Sequence, residues 1–233
     1  MFSNTAMQKI WLSLFLLLLA VACSSENNQT AEDNSQDNPV EGEDVTAVKV
    51  EKKKILIFGN SLTAGLGVEP EEAFPAILQT YIDSLELPYE VVSAGVSGET
   101  SAGGETRITW MLRQPVDIFL LELGANDGLR GINLEATRQS LKNILDQTKQ
   151  AYPEVQLMIA GMLVPPNMGP EYSTEFQKIW PELADTYQAS LVPFLLEGVA
   201  GEPDLNQDDG IHPTPEGHQM VADNVWAILK DLL

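Results

Sequence analysis

The sequence predicts an α/β fold, and three observations predict it. Short apolar runs of strand length alternate with longer segments whose apolar residues recur at 3- and 4-residue spacing. The short runs are almost continuously apolar, as in strands buried on both faces of a parallel sheet. Glycine-rich and polar stretches follow these runs, at the carboxyl ends where a parallel sheet carries its ligand sites. The expected architecture is a single flavodoxin-like, three-layer α/β/α domain with a five-stranded parallel sheet, over residues 51–233.

Each element has its own pattern. Ile55-Leu56-Ile57-Phe58 reads as the first buried strand. A helix over Glu71–Leu85 follows, with Phe74, Ile77, Leu78, Tyr81, Ile82 and Leu85 on one face. Glu90–Val92 begins a second strand and Thr106–Leu112 a second helix. Asp117–Leu123 is a third, strongly apolar strand, followed by a helix over Leu134–Tyr152. Val155–Met162 reads as a fourth strand, Phe176–Tyr187 as a helix and Ala189–Leu196 as a fifth strand. Pro215–Leu233 closes the chain as a helix, its apolar side formed by Met220, Val221, Val225, Ile228, Leu229 and Leu232.

The first fifty residues differ in kind. Lys9 precedes an apolar run, Ile10–Ala22, interrupted only by Ser13. It is shorter than the roughly 20 residues of a membrane-spanning helix and fits the apolar region of a signal peptide over residues 1–22. The run ends Ala20-Val21-Ala22-Cys23, which resembles a bacterial lipobox and makes Cys23 a candidate for lipidation. Residues 24 to about 50 are rich in Ser, Asn, Gln, Asp and Glu; so polar a segment buries too little surface to offset its ordering entropy and reads as a tether. The expected location is therefore that of an exported bacterial lipoprotein in the cell envelope, anchored on the periplasmic or cell-surface side.

Charge and cysteine count narrow the function. The formal net charge is −21, and the negative balance persists beyond residue 50, with 27 acidic residues against 11 basic ones. A field of that sign repels nucleic acid. Cys23 is the one cysteine, which excludes an intrachain disulfide and a cysteine-based zinc site; with only His212 and His218 as imidazoles, no metal site is expected.

Four segments carry residues suited to chemistry. Gly59-Asn60-Ser61-Leu62 follows the first strand, so Ser61 stands at a helix start, where free N–H groups favour developing negative charge. Serine also caps helices at such positions. Gly98, after the second strand, permits close backbone approach to a ligand, or any tight turn. Asn126, after the third strand, offers an amide donor to an oxyanion, while Asp127-Gly128 beside it is a turn signal. Asp209 lies three residues before His212, a spacing that lets the carboxylate fix the imidazole tautomer; a solvated loop is the ordinary alternative. His218 reads as an ordinary residue of the last helix. Nucleophile, donors and an Asp–His pair at one sheet edge form the constellation that acyl transfer requires.

These segments resemble the four blocks of the SGNH (GDSL) hydrolase family, over nearly all of residues 54–230. The resemblance implies Ser61 as nucleophile, Asp209 and His212 as its triad partners, an oxyanion hole from Ser61, Gly98 and Asn126, and no cofactor. Asn60 departs from the pattern, since the family usually carries aspartate there. Leu123-Gly124-Ala125-Asn126-Asp127-Gly128-Leu129-Arg130-Gly131 and Gly161-Met162-Leu163-Val164-Pro165-Pro166-Asn167 are similar to the arylesterase, acyl-CoA thioesterase I and lysophospholipase subgroup. That likeness implies a serine esterase or thioesterase acting on small acyl esters or thioesters. Leu129, Ile132, Met162, Leu163, Val164 and Met168 are candidates for its acyl-chain wall. Two other readings stay open, a carbohydrate acetyl-esterase and a non-catalytic acyl-binding lipoprotein. The membrane enters as a partner through the N-terminal anchor alone.

Overall fold

The computed structural model describes residues 51–233; the leader, Cys23 and tether expected over residues 1–50 lie outside the described residues. Five strands form one sheet: β1 (Lys53–Gly59), β2 (Tyr89–Gly95), β3 (Ile118–Glu122), β4 (Gln156–Ala160) and β5 (Ser190–Val192). All neighbours pair in parallel, in the order β2-β1-β3-β4-β5. This is the flavodoxin-like order expected from the sequence, with its switch point where the chain leaves β1 for one neighbour and later returns to the other.

Seven α-helices connect and cover the sheet: α1 (Ser61–Ala64), α2 (Phe74–Ser84), α3 (Ser101–Met111), α4 (Ala125–Leu129), α5 (Leu134–Ala151), α6 (Pro170–Tyr187) and α7 (Pro215–Leu229). α2 packs on α7, while α3, α5 and α6 pack in a row. Right-handed crossovers place these two groups on opposite faces. Between them Ile55–Phe58 and Ile118–Leu121 are buried on both sides, which explains their unbroken apolar runs. Local signals set the long helix starts. Asn133 caps α5 by accepting from the Ala136 N–H, and Thr214 caps α7 by accepting from Gly217, with Pro215 in its first turn.

Several boundaries differ from the sequence reading, each for a physical reason. The segment expected as one helix over Glu71–Leu85 is a 3₁₀ turn at Pro70–Glu72 followed by α2, with Ala73 extended between them. Pro75 lacks an N–H and is tolerated only in a first turn, so the α-helix begins beside it. Leu85, expected on the apolar face, caps α2 and is largely exposed. β2 is longer than expected, since the polar residues of an edge strand hide its continuation. β5 is shorter, because Pro193 cannot donate to the ladder.

The sheet edge also shapes the turn after β1. Gly95 ends β2 against α1, and a Cβ there would lie 2.3 Å from the Ala64 nitrogen and 2.7 Å from the Asn60 oxygen. Both are backbone atoms of the turn that carries Ser61, so neither can swing aside. Ser93 ties the same turn down by donating to the Thr63 carbonyl at 3.0 Å. Gly95→Ala is accordingly expected to lower unfolding stability by about 1–3 kcal/mol, the usual cost of overpacking. Chemical denaturation of both proteins measures it, and an unchanged midpoint would mean that the contact is not tight.

Candidate active site

Ser61 emerges at the switch point. β1 ends at Gly59, Asn60 caps the four-residue α1, and Ser61 is its first residue, 7% exposed. The Asn60 side chain accepts from the Leu62 N–H at 3.0 Å, so capping falls to Asn60 and the Ser61 hydroxyl stays available.

The second half of the site comes from the far end of the chain. Asn206 and Pro213 pair as an antiparallel bridge, and the Gln207 N–H donates to the His212 carbonyl at 2.7 Å. Gln207 Nε2 donates to the carbonyls of Leu66 and Pro213, stitching this loop to the segment after α1. Within it, Asp209 Oδ1 accepts from the N–H groups of Ile211 and His212, and Oδ2 lies 2.6 Å from His212 Nδ1. A carboxylate only accepts, so Nδ1 carries the imidazole proton and Nε2 presents a lone pair. That lone pair lies 2.9 Å from Ser61 Oγ. The His212 hydrogen bond and then the Ile211 N–H hold the Asp209 carboxyl down to about 2, against the opposing effect of burial. It is therefore ionised at neutral pH.

The expected donors flank this line. Gly98 has φ +78°, a left-handed conformation that side chains resist, in the loop after β2. Arg130 Nη2 donates to its carbonyl at 2.9 Å, and the neighbouring Glu99 is paired to Arg107. Asn126, in α4 after β3, donates through Nδ2 to the Glu99 carbonyl at 3.0 Å, leaving its second amide hydrogen free. Among the described residues, neither the Ser61 nor the Gly98 backbone N–H donates to a protein acceptor. Such an arrangement can stabilise negative charge on a carbonyl oxygen in front of Ser61.

The apolar candidates divide. Leu129 and Leu163 are exposed, and Ile132 and Met168 are half-buried. Val164 is half-buried but packs against the core. Met162 is a correction: it is 2% exposed and belongs to the core. The Gly161 N–H still donates to Val192 and its carbonyl accepts from Leu195, so sheet-like pairing carries Met162 inward.

Two buried carboxylates were missed in the sequence. Asp127, read there as a turn residue, lies inside α4 and is 1% exposed; it accepts from Ser101 N and Oγ and from Thr137 Oγ1. This ties the Asn126 helix to α3 and α5. Glu122, the last residue of β3, is fully buried and accepts from Asn60 and Thr63 on both sides of Ser61. Its signal was a lone charge at the end of an apolar run.

With this geometry in place, comparison with known proteins identifies the class. Residues 57–220 match the GDSL-like Lipase/Acylhydrolase family, and the chain belongs to that family. Esterase TesA of Pseudomonas aeruginosa is 37% identical over 181 residues, 77% of this chain and 89% of that protein. The thioesterase 1/protease 1/lysophospholipase L1 of Escherichia coli K12 is 39% identical over 180 residues, 77% and 84% of the two chains. The crystal structure of AlinE4, an SGNH-hydrolase family esterase, superposes with a TM-score of 0.65 at 41% identity, covering 78% of this chain and 98% of that one.

His218 lies in the last helix, as expected, and is buried there. It is 1% exposed near the start of α7, stacks on Phe74 and accepts from the Phe74 N–H at 3.4 Å through Nδ1. Its Nε2 has no partner among the described residues. Burial, and then the nearby His212, push its pKa down to about 4. His218 therefore stays neutral in the fold while the unfolded chain protonates near 6.5. Stability tied to the neutral ring is complete above about 6.5 and is lost as pH falls toward 4. His218→Asn cannot charge, so its unfolding temperature should fall less between pH 7 and pH 4.5 than that of the wild type. Parallel curves from thermal melts at a series of pH values would refute this account.

Proposed function

We propose that this protein is a serine esterase or thioesterase that hydrolyses acyl esters through an acyl-enzyme. The observation that carries the reading is the unbroken line from Asp209 through His212 to Ser61, at 2.6 and 2.9 Å. The names of its relatives, esterase, arylesterase, thioesterase and lysophospholipase, support a carboxylic ester or thioester as the bond cleaved.

Ser61 Oγ attacks the acyl carbon as its proton passes to His212 Nε2. Asp209 stabilises the imidazolium that forms and keeps the ring in the tautomer that presents Nε2 to the serine. The carbonyl oxygen gains negative charge and is held by the N–H groups of Ser61 and Gly98 and the free amide hydrogen of Asn126. His212 then gives its proton to the leaving alcohol or thiol. Water, activated by the same nitrogen, attacks the acyl-enzyme, releases the acid and returns the proton to Ser61. Leu129, Ile132, Leu163 and Met168, in loops at this edge, are suited to contact an acyl chain.

We also propose that the enzyme is an exported lipoprotein. The supporting features are the short apolar run Ile10–Ala22, the lipobox-like Ala20-Val21-Ala22-Cys23 and the polar stretch beyond it. Acylation of Cys23 would hold the catalytic domain at the cell envelope by a polar tether. The two acyl chains of a diacylated cysteine suffice for stable anchoring, whereas one gives only marginal binding.

Ser61→Ala is expected to fold normally and to lose about 10⁶ in kcat, as triad nucleophiles do elsewhere. Fluorophosphonate labelling followed by peptide mapping provides the check; turnover with labelling at another residue would falsify the assignment. Cys23→Ser should move the protein from the membrane fraction to the soluble one without changing specific activity. Absence of lipid on the wild type made in its native host would rule the anchor out.

A further inference from the structure

Directly behind the Ser61 turn lies a charge that acyl transfer does not itself use. Glu122 pairs in register with Gly59, the last residue of β1, and is fully buried. Its Oε1 accepts from Asn60 Nδ2 at 2.7 Å. Its Oε2 accepts from Asn60 N at 3.0 Å, Thr63 N at 3.2 Å and Thr63 Oγ1 at 2.6 Å. All four donors come from the two residues that bracket Ser61 and Leu62. A buried carboxylate would not persist here unless its lone pairs were met, and they are.

The arrangement fixes the polarity of one amide. Because the carboxylate takes Asn60 Nδ2, the Asn60 Oδ1 must face the other way. There it accepts from the Leu62 N–H at 3.0 Å and lies 3.3 Å from Ser61 Oγ, so that hydroxyl faces two acceptors, Asn60 Oδ1 and the nearer His212 Nε2 at 2.9 Å, and its one hydrogen is donated to one of them. Reversed, the amide would set its NH₂ against the Leu62 N–H and would donate to Ser61 Oγ, drawing electron density from that oxygen. We propose that Glu122 is a positioning residue for the nucleophile, acting through the Asn60 amide to hold the Ser61 hydroxyl as a donor within reach of His212. The proposal rests on the reading of Ser61 as the nucleophile.

Charge state follows from the same contacts. Ionised, Glu122 accepts all four donors; protonated, it can place its own hydrogen only where Thr63 Oγ1 turns to accept. Burial pushes it up to about 7, against the pull of the four donors. The ionisable groups of the surrounding elements include Lys53 and Lys54 at the opposite end of β1, Tyr89 and Glu90 of β2, Asp117 before β3, Tyr81 and Asp83 of α2, Glu105 and Arg107 of α3, Asp127 of α4, and His212 and His218 at the carboxyl edge. None of them hydrogen-bonds Glu122, so burial, opposed by the four neutral donors, sets its state.

An exchange of amide and acid tests the idea. Glu122→Gln keeps the shape but offers an NH₂ where Asn60 needs an acceptor, which drives the Asn60 amide to reverse. It should lower kcat on a short soluble ester by about ten- to hundredfold, the worth of a hydrogen bond to a charged group, with KM little changed. In Asn60→Asp/Glu122→Gln the carboxylate at position 60 accepts from the new amide and still caps Leu62, so most of kcat should return. Asn60→Asp alone sets two buried carboxylates face to face, which must share a proton. Its kcat should fall at alkaline pH, where that proton is lost, and the wild type should lack this fall. An exchanged pair no faster than Glu122→Gln, or identical pH profiles for Asn60→Asp and wild type, overturns the proposal. The profile comparison decides alone if Glu122→Gln does not fold. Ser61→Ala assayed alongside separates the two levels: if it still turns over, the nucleophile assignment has failed rather than the positioning.

Discussion

The parallel sheet is covered by helices on both faces, and that one constraint disposes the rest of the molecule. No polar side chain can sit along the middle of β1 or β3 without losing its water, so Ile55–Phe58 and Ile118–Leu121 are apolar throughout. Polar chemistry is confined to the edge where the strands end. β1 is an interior strand, with β2 on one side and β3 on the other, so the loops after all three converge around the turn that follows it. Ser61 is the second residue of that turn, after Asn60.

At this edge the polar groups form two layers. The outer layer is Ser61, His212 and Asp209, close enough to solvent to meet a substrate. The inner layer is Glu122 with Asn60 and Thr63, and Asp127 with Ser101 and Thr137. Every acid in the inner layer is matched by neutral donors instead of a cation. The donors are backbone N–H groups and short side chains with little freedom, so each pair fixes geometry at small entropic cost. A buried ion pair would have imposed a larger desolvation penalty on two groups. The Gly98 loop is held differently, by Arg107 and Arg130 at its rim, where solvation is partly retained.

The histidines show how burial divides two chemically identical side chains. His212 sits in a loop beside a carboxylate that stays ionised, and its ring is oriented by that acid. His218 lies six residues further on, packed on Phe74 with no carboxylate bonded to it, and burial keeps it neutral. The first is arranged to accept a proton in a reaction, the second to refuse one.

The sequence by itself determined the fold class and the approximate place of each strand, and it singled out Asp209 and His212 as a candidate pair. Continuous apolar runs report burial on both faces, and the spacing of Asp209 and His212 is a local relation that a single loop realises. The match to known family blocks carried Ser61, Gly98 and Asn126 with it. Tertiary structure alone decided what meets across distance. The bond between His212 and Ser61 spans 151 residues and depends on Gln207 tying one loop to another. Glu122 looked like a stray charge, Asp127 like a turn and Met162 like part of an acyl wall, because no local pattern tells which way a side chain faces at the end of a strand. Packing settles that direction, since each group ends where its partners are: donors from the β1–α1 turn for Glu122, the α3 and α5 hydroxyls for Asp127, and the apolar core for Met162.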